Sequence, residues 1–403
     1  MHYPFPYIET IDDVLPAIEG RDEFSVTDKG DYTCINYNLM KADTFPPVEI
    51  EPSRQDQESG WTKDYDFYAA LRRECRGLLF ENNTRKIIRR PLHKFMNINE
   101  NEEHHQSNID LSIPHRILSK LDGSMASPFI LNGVLRWGSK AGITDVSLKF
   151  EEFVNQSTID YNTFSKIMIV SGYTPIYEFC SRKQRIILDY PGDQLVLIAM
   201  RDINTGKYVD YKILKDCAST WGIPLVESYD SQTDIEKFID DTRALEDTEG
   251  FVIAWDNGHK VKLKCDWYIR IHRAKDALSS ENKILDLYFN NQLDDLLAAL
   301  SKDEQEAIRD FCGQFDQWLD KTSYSILDTL DNWADLTRKE FALDVAPKLN
   351  PYLKPIYFAC WTDRNKEAVK KSLYLLVNKH INVNIRYTEL KASLFPQLEL
   401  NYV

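Results

Sequence analysis

Lys120 directly precedes Leu-Asp-Gly-Ser in the stretch "ILSKLDGSMAS", residues 117–127. The apolar segment 113–118 is typical of a strand, and Gly123 can adopt the backbone angles of a sharp turn. A lysine at the end of a strand can act as a nucleophile, bind a phosphate or simply face solvent. To act as a nucleophile it must lose its proton near neutral pH, which requires burial, nearby cations or a metal.

Two further lysines, Lys262 and Lys264, alternate in "VKLKCDW". A period of two places both side chains on the same face of a strand, while Leu263 faces a core. Such a pair suits a polyphosphate, and it could also lower the pKa of a third lysine. The alternative interpretation is the solvated face of an edge strand.

Two carboxylates and two more cations lie beside other predicted strands. Glu178 lies in "PIYEFCSR", and Glu249 precedes a glycine in "EGFVI". They could hold a ribose hydroxyl or a magnesium ion, which prefers hard oxygen ligands. Arg76 in "ECRGLLFE" and Lys94 in "RPLHKFMN" are suited to phosphate binding. Together these residue types indicate phosphoryl or nucleotidyl transfer.

The elements that must position these residues are mainly strands up to about residue 270. Short runs rich in β-branched and aromatic residues predict strands, namely "CINYNLM", "RGLLFE", "KIIRRPLHKF", "SPFILNGVLRWGSK" and "RIILDY". Two hairpins are predicted, one over residues 194–214 turning at 204–206, and one over residues 249–268 with an Asp-Asn-Gly turn. Residues 146–156 and 234–247 show the apolar spacing of amphipathic helices.

After about residue 275 the pattern becomes helical. Apolar residues recur at helical spacing in "NKILDLYFNNQLDDLLAAL", "KDEQEAIRDFCGQFDQWLDKTSYSILDTL" and "RNKEAVKKSLYLLVNKH". We therefore predict two domains, a catalytic domain over residues 1–275 and an all-helical domain over residues 276–403.

Composition excludes several classes of protein. The 403 residues carry a formal net charge of −14, which argues against loose, nonspecific coating of nucleic acid but permits a local cationic cleft. The seven cysteines are scattered and form no CxxC pair, as expected for a reduced compartment without structural zinc. No signal peptide or membrane-spanning apolar run is recognisable, so we expect a cytoplasmic protein that does not contact membranes.

The order of the motifs resembles the covalent nucleotidyltransferases, the superfamily of polynucleotide ligases and messenger-RNA capping enzymes. That order is Arg-Gly, Lys-x-Asp-Gly, a strand Glu, Glu-Gly and Lys-x-Lys. The flanking words "ECRGLLFE", "RPLHKFMNINE", "ILSKLDGS", "YEFCSRKQRIIL", "EGFVI" and "KLKCDWY" are similar to those of the bacteriophage RNA ligase 1 family of T-even type. The resemblance runs from about Tyr32 to the start of the helical region.

The resemblance implies an α+β fold. Antiparallel sheets with helices would form a nucleotidyltransferase domain, the ATP-grasp-like catalytic domain of ligases, followed by an all-helical RNA-specificity domain. It implies an ATP-dependent RNA ligase that uses Mg²⁺ and joins RNA 5′-phosphate and 3′-hydroxyl ends. Its expected setting is RNA repair, including broken transfer-RNA anticodon loops. We expect a monomer, in the host cytoplasm if a phage encodes it.

The resemblance also assigns roles to residues. Lys120 would be the nucleophile that becomes adenylated, Glu249 would position magnesium, and Tyr268 would act in ligation. Asp294 in "QLDDLL" would hold a metal ion, unless it simply lies on a solvated helix face. The residues expected to bind ATP are Tyr37, Arg76, Lys94, Lys140, Glu178, Lys262 and Lys264.

Three alternative functions remain open from the sequence. A DNA ligase would be expected to continue into an OB-fold after the last lysine motif, and a capping enzyme would also continue into β-structure. The helical continuation disfavours both. A non-catalytic RNA-binding relic of the fold is disfavoured because every charged motif position is retained.

Overall fold

The computed structural model describes residues 5–41, 43–48, 64–182, 185–297, 300–362 and 364–401. The chain divides into two compact units, Met1–Tyr268 and Ile269–Val403. The boundary predicted at residue 275 lies a few residues later, and both positions fall within one helix, Asp266–Ala277. The functional division between the units stays a prediction.

Three antiparallel sheets of four strands make up the described β-structure of the first unit. In chain order the strands are β1 Phe24–Asp28, β2 Tyr32–Tyr37, β3 Arg76–Glu81, β4 Ile87–Arg89, β5 His115–Ser119, β6 Ser124–Leu131, β7 Val134–Gly138, β8 Tyr173–Cys180, β9 Gln194–Asp202, β10 Ser228–Tyr229, β11 Gly250–Trp255 and β12 Lys260–Lys264. The first sheet has the strand order β1-β2-β3-β4, the second β10-β5-β11-β12 and the third β7-β6-β8-β9.

Helices cover the sheets of the first unit and make up the regular structure of the second. The α-helices up to the division are α1 Leu15–Ile18, α2 Asp64–Glu74, α3 Asp145–Gln156, α4 Tyr161–Val170, α5 Tyr211–Trp221, α6 Ile235–Arg243 and α7 Asp266–Ala277. Those that follow are α8 Glu281–Phe289, α9 Leu293–Leu297, α10 Lys302–Asn332, α11 Arg338–Glu340, α12 Lys354–Ala359, α13 Lys366–Ile381 and α14 Asn384–Leu394. The predicted α+β class with a helical C-terminal region is confirmed.

The hairpin predicted over residues 249–268 is present as β11 and β12. Gly250 pairs with Lys264 and Ala254 with Lys260, and Gly258 in the turn has a φ of 101°. Glycine adopts such an angle without the steric penalty that other residues meet. Val261 and Leu263 are buried in a cluster with Phe238. The alternating lysines therefore occupy the opposite face of β12, as the period of two predicts.

The hairpin predicted over residues 194–214 is only half correct. Its first arm is β9, but beyond the turn only an isolated bridge, Arg201 to Tyr208, continues the pairing. The second arm becomes helix α5 because the carboxylate of Asp210 accepts a hydrogen bond from the Lys212 N–H and caps the helix.

The strand predicted for "RIILDY" was wrong. The N–H groups of Ile187 and Leu188 donate to Oδ2 of Asp122, at 2.8 and 2.7 Å. A single carboxylate thus satisfies backbone groups that a strand would pair with a neighbouring strand. The segment is a loop held against the Lys120 turn, although Lys183 and Gln184 of the same motif lie outside the described residues.

The second unit has a core of its own. Helix α10 begins at a capping box in which the side chains of Ser301 and Glu304 bond to each other's backbone N–H groups. Its apolar side, including Phe311, Phe315 and Trp318, is buried in a cluster with residues of α8, α13 and α14.

The helical pattern predicted over residues 282–300 breaks between α8 and α9, where Asn291 has a φ of 54°. Ala298 and Ala299 lie outside the described residues. Among the described helices, none combines the length and the apolar character needed to cross a bilayer.

A buried ionic network joins distant parts of the first unit. Glu74, at the end of α2, accepts from Arg90 Nε at 3.0 Å and from Arg201 Nη1 and Nη2 at 2.9 and 3.0 Å. None of the three residues is more than 2% exposed. Burial alone would raise the pKa of Glu74, but the charges and hydrogen bonds of Arg201 and Arg90 outweigh burial and lower it. The carboxylate is therefore ionised at neutral pH.

We expect Glu74→Ala to lower the free energy of unfolding by about 3–5 kcal/mol, because it leaves two buried guanidinium groups without their counter-charge. Urea unfolding at neutral pH measures this loss. Asp241→Ala is the matched control, since the exposed Lys237–Asp241 pair in α6 contributes about 0.5 kcal/mol or less. A loss at Glu74 no larger than at Asp241 would contradict the prediction.

Candidate active site

Lys120 lies where the chain passes from the second sheet to the third. It follows β5, and its N–H donates to the carbonyl of Gly250 in β11 at 2.9 Å. Gly123, at the start of β6, packs so closely on β8 that an added Cβ would lie 2.5 Å from the carbonyl oxygen of Phe179. Only glycine fits there, so the turn predicted from "KLDGS" is fixed by backbone packing.

Glu249 lies between two lysines of the predicted site. Its Oε1 is 2.7 Å from Lys120 Nζ and 3.0 Å from Lys264 Nζ. The residue is only 3% exposed, so both ion pairs form in a partly dehydrated setting where charges interact strongly. The Glu-Gly motif is therefore in direct contact with the predicted nucleophile, and the Lys-x-Lys motif reaches it through Glu249.

A cavity of about 250 Å³ opens beside Lys120, between the second and third sheets. Its charged lining residues are Arg76, Lys120, Glu178, Lys260 and Lys262. Its apolar lining includes Leu118, Ile198, Val226 and Val252. The combination of an apolar wall with several cations suits a ligand that has both a flat apolar part and phosphate groups.

Glu178 enters the cavity from β8, where it pairs with Met125 of β6. Burial raises the pKa of Glu178 to about 7, and the carboxylates of Glu249 and Asp122 add to the rise, while Lys120 and Arg76 oppose it. The protein thus holds a carboxyl group near its ionisation point beside the nucleophile. A cationic or hydroxyl-bearing ligand would favour its charged form.

Of the remaining cations of the predicted site, Lys262 lines the cavity, whereas Lys94 and Lys140 are not among its lining residues. Burial lowers the pKa of Lys262 to about 7, with Lys94 and Lys120 adding to the effect. Burial also lowers the pKa of Lys140 to about 8, with Arg76 and Lys94 adding. These mutual effects show that the cations are close together. An incoming polyphosphate would relieve their repulsion.

Tyr37, the last residue of β2, lies among these cations. Lys140 Nζ is 3.9 Å from the centre of the Tyr37 ring and 3.1 Å from its carbonyl oxygen. Lys94 Nζ is 5.9 Å from the same ring and 3.4 Å from Glu100 Oε1. The ring is held by cation–π contacts beside the site, as an aromatic that borders a nucleotide requires.

Tyr268 reaches the site from the first turn of α7. Its hydroxyl donates to Oδ1 of Asp122 at 2.7 Å, and Lys264 Nζ lies 4.8 Å from its ring centre. Burial, with Glu249 next, raises the pKa of Tyr268 well above its usual range, so the phenol stays protonated. Because Asp122 also holds the loop at Ile187 and Leu188, one carboxylate links α7, the loop and the Lys120 turn.

Residues 74–268 match the model of a family described as RNA ligase. Through this segment the chain is similar to the RNA ligase family. The resemblance inferred from the motifs is confirmed, and the segment contains every predicted site residue except Tyr37 and Asp294.

Named relatives and a solved structure are also similar to this chain. The "Putative RNA ligase" of Thermovibrio ammonificans is 25% identical over 300 residues, which cover 72% of each chain. RNA ligase 1 of bacteriophage TS2126 is 26% identical over 244 residues, covering 57% of this chain and 58% of the phage protein. An archaeal ATP-dependent RNA ligase structure is 13% identical, with a TM-score of 0.43 over 73% of each chain.

A divalent cation would find few protein ligands in the described part of this chain. No group of three or more His, Cys, Asp or Glu side chains is clustered there. Glu178, a half-buried residue that lines the cavity together with Lys120, remains as a hard oxygen donor. Such a site fits magnesium, which is commonly held by one or two carboxylates together with substrate phosphates and water.

Asp294 is not brought to this site by any described contact. It is an exposed residue of the short helix α9, in the second unit. No described cluster of metal-ligating side chains surrounds it, and the side chain of its neighbour Asp295 lies outside the described residues. The metal role of Asp294 stays a prediction.

The sequence analysis missed Lys260. It lines the cavity together with Lys262, and it precedes Lys262 and Lys264 at the same spacing of two in "KVKLK". The signal was therefore present as a third alternating lysine. It was overlooked because the family motif contains only the last two.

Because the pKa of Glu178 is raised, we expect its contribution to the free energy of unfolding to depend on pH. Its pKa is about 7 in the fold against an ordinary value of 4.5, so the stability it contributes is present below pH 4.5 and is lost as the pH rises through about 7. We expect Glu178→Gln to unfold like the parent at about pH 4 but to be more stable by about 2–3 kcal/mol at about pH 8.5.

Thermal or urea unfolding of the ligand-free protein at both pH values measures this difference. Glu236→Gln, an exposed residue of α6, is the matched control and should show the same stability as the parent at either pH. A Glu178→Gln variant that gains nothing at the higher pH would contradict the raised pKa of Glu178.

Proposed function

We propose that this chain is an ATP-dependent RNA ligase that seals 5′-phosphate and 3′-hydroxyl ends through a lysyl-AMP intermediate. The observation that carries the proposal is Lys120 itself. It lies at the wall of a cation-lined cavity, with Glu249 2.7 Å from its Nζ. The similarity of residues 74–268 to the RNA ligase family supports the reaction, and the motif order supports the residue roles.

In the first step Lys120 Nζ attacks the α-phosphorus of ATP. An N–P bond forms, the bond from the α-phosphorus to the bridging oxygen breaks, and pyrophosphate leaves. The ammonium must first release a proton, and Glu249 accepts a hydrogen bond from it in the resting site. The cations Arg76, Lys94 and Lys262 stabilise the negative charge that moves onto pyrophosphate.

Two further steps complete sealing. An oxygen of the RNA 5′-phosphate attacks the same phosphorus, which breaks the N–P bond and transfers AMP to the RNA end. The 3′-hydroxyl of the second end then attacks the 5′-phosphate, loses its proton and displaces AMP. The result is one phosphodiester bond, with ATP converted to AMP and pyrophosphate.

The other residues of the site position these reactants. Glu178 is placed to bind the ribose or a divalent cation, and Tyr37 borders the nucleotide. A divalent cation bound there would neutralise phosphate charge and orient the triphosphate. Lys264 holds Glu249, and Tyr268, through Asp122, holds the turn that carries the nucleophile.

Incubation of the full-length protein with α-labelled ATP and magnesium tests the proposal. A covalent protein–AMP adduct is expected, followed by sealing of RNA with a 5′-phosphate and a 3′-hydroxyl. DNA ends should be sealed poorly, which separates an RNA ligase from a DNA ligase. Absence of an adduct would instead favour a non-catalytic protein.

The natural substrate and setting are the finer part of the proposal. We infer broken RNA, including nicked transfer-RNA anticodon loops, a cytoplasmic setting and a monomer. The family resemblance supports the substrate, and the seven cysteines, all free thiols, are consistent with a reduced compartment. Sealing of a nicked anticodon stem-loop compared with an unstructured RNA of equal length measures the preference.

A truncated chain ending at Ala277 tests the division of labour between the two units. We expect it to adenylate Lys120 at a normal rate, since the described contacts of the cavity lie within the first unit. We expect it to lose preference among RNA ends and structured loops, because such recognition needs surface beyond the cleft. Unchanged RNA preference would place selectivity in the catalytic unit.

A further inference from the structure

Lys260 carries a buried positive charge that the proposed chemistry does not use. The residue is 9% exposed and lines the cavity beside Lys120. Its Nζ lies 4.5 Å from the centre of the Tyr208 ring, and no carboxylate in the described residues forms an ion pair with it. A lysine buried in this way without a counter-charge is unusual.

The strand register gives the position of Lys260 relative to the nucleophile. Three rows of paired residues cross the second sheet on the face of the alternating lysines. The nucleophile row contains Lys264 and Gly250, and the middle row contains Lys262, Val252 and Leu118. The far row contains Lys260, Ala254 and Arg116. The far row is four residues along β12 from the nucleophile row, or about 13 Å. That is about the extent of a nucleoside monophosphate.

The cations that suit a triphosphate lie near Lys262 and not near Lys260. Arg76, Lys94 and Lys120 all lower the pKa of Lys262. Burial, with Arg201 as the only added charge, lowers the pKa of Lys260 to about 8. The side chain is thus mainly protonated at neutral pH, and its Nζ lies beside Tyr208 and is affected by Arg201, not by the cations that surround Lys262.

The wall between these two ends is apolar. Leu118 and Val252 of the second sheet face Ile198 of the third, and Val226 closes the wall. A flat ring fits between such side chains. With the α-phosphate at Lys120, the base of the nucleotide would occupy this apolar section, and its outer edge would reach the far row.

The far row offers hydrogen-bond donors to a neutral group. A second cavity of about 110 Å³ shares Lys260 and Leu118 with the first and is also lined by Arg116, whose Nε is buried without a hydrogen-bond partner in the described residues. The exposed residues Asp210 and Asp256 line the same cavity. Their negative charges disfavour a further phosphate there and favour an uncharged base.

We propose that Lys260 recognises the purine of the nucleotide by donating a hydrogen bond from its ammonium to a ring nitrogen of the base. Lysine has donors and no acceptor. It can therefore bond to N1, N3 or N7 of the purine, which accept hydrogen bonds, and not to the exocyclic amino group, which donates. This inference rests on the proposed function, because it names a contact of the same nucleotide site. It makes Lys260 a positioning residue for the first step.

A chemical double-mutant cycle tests the contact. The rate of protein–AMP formation is measured for the full-length parent and for Lys260→Met with ATP, 1-deaza-ATP, 3-deaza-ATP and 7-deaza-ATP. The parent should lose about tenfold to a hundredfold with one analogue, as expected for a hydrogen bond from a charged donor. Lys260→Met should lose a similar factor with ATP and should no longer discriminate against that analogue.

Lys237→Met, at an exposed lysine of α6, is the matched control and should behave as the parent. Equal rates of the parent with ATP and all three analogues would overturn the proposal without any variant. A folded Lys260→Met protein that kept the full discrimination of the parent would also overturn it. Failure of the parent to form an adduct with ATP is a different result, because it would refute the proposed function itself.

Discussion

Lys120→Arg is expected to abolish protein–AMP formation as completely as Lys120→Ala. Arginine keeps the positive charge and can pair with Glu249, but its guanidinium cannot be deprotonated in a protein to attack phosphorus. A purely electrostatic role for Lys120, as a phosphate-binding cation, would be largely preserved by arginine. The full-length variants are incubated with α-labelled ATP and magnesium, and the covalent adduct is quantified after denaturation.

The structure permits a clean comparison at this position. Lys120 makes an ion pair at the wall of a cavity, so neither substitution removes a packed apolar group from the core. Lys120→Arg keeps a cation beside Glu249 and should unfold at nearly the same denaturant concentration as the parent, whereas Lys120→Ala leaves Lys264 alone to balance this buried carboxylate and should be less stable. Lys237→Arg, at an exposed lysine of α6, should form the adduct normally. A normal adduct with Lys120→Arg would show that the nucleophile is elsewhere.

Lys262→Ala and Lys264→Ala are expected to slow adenylation by about a hundredfold or more each, because preorganised charges that stabilise a transition state contribute several kcal/mol. The two lysines act differently. Lys262 lines the cavity among Lys94 and Arg76, whereas Lys264 holds Glu249 beside the nucleophile. Single-turnover rates of adduct formation over a range of ATP concentrations separate a loss of binding from a loss of rate.

The interpretation of these lysines as a solvated edge face makes the opposite prediction. It expects near-normal rates for both alanine variants, as for Lys212→Ala, an exposed lysine of α5. Stability provides a second distinction. Since burial lowers the pKa of Lys262 to about 7, its removal should not destabilise the ligand-free fold, and a large loss of stability would indicate a structural role instead.

Local patterns in the sequence were sufficient to predict the elements that carry the chemistry. The period of two in "VKLKCDW" placed Lys262 and Lys264 on one face, and the glycine of "KLDGS" marked the turn. The pattern could not show that Glu249 contacts both Lys120 and Lys264, because the contact depends on the pairing of β5 with β11, which are far apart in the chain.

The wrong predictions have a common physical cause. "RIILDY" has the composition of a strand, but its N–H groups are satisfied by Asp122, a side chain about 65 residues earlier in the chain. Likewise a single capping carboxylate, Asp210, converts a predicted strand into α5. Propensity is a weak signal when one distant or local polar side chain can satisfy the backbone in another way.

The position of Glu249 between two lysines has a consequence for the order of events. Before reaction its carboxylate is balanced by two ammonium groups. Once the nitrogen of Lys120 is bonded to phosphorus it carries no positive charge, and Lys264 alone remains as a partner. After adenylation of Lys120, the electrostatic potential around Glu249 is therefore more negative than before it. A chain loaded with AMP should therefore attract a cation or a hydroxyl donor that an unloaded chain rejects.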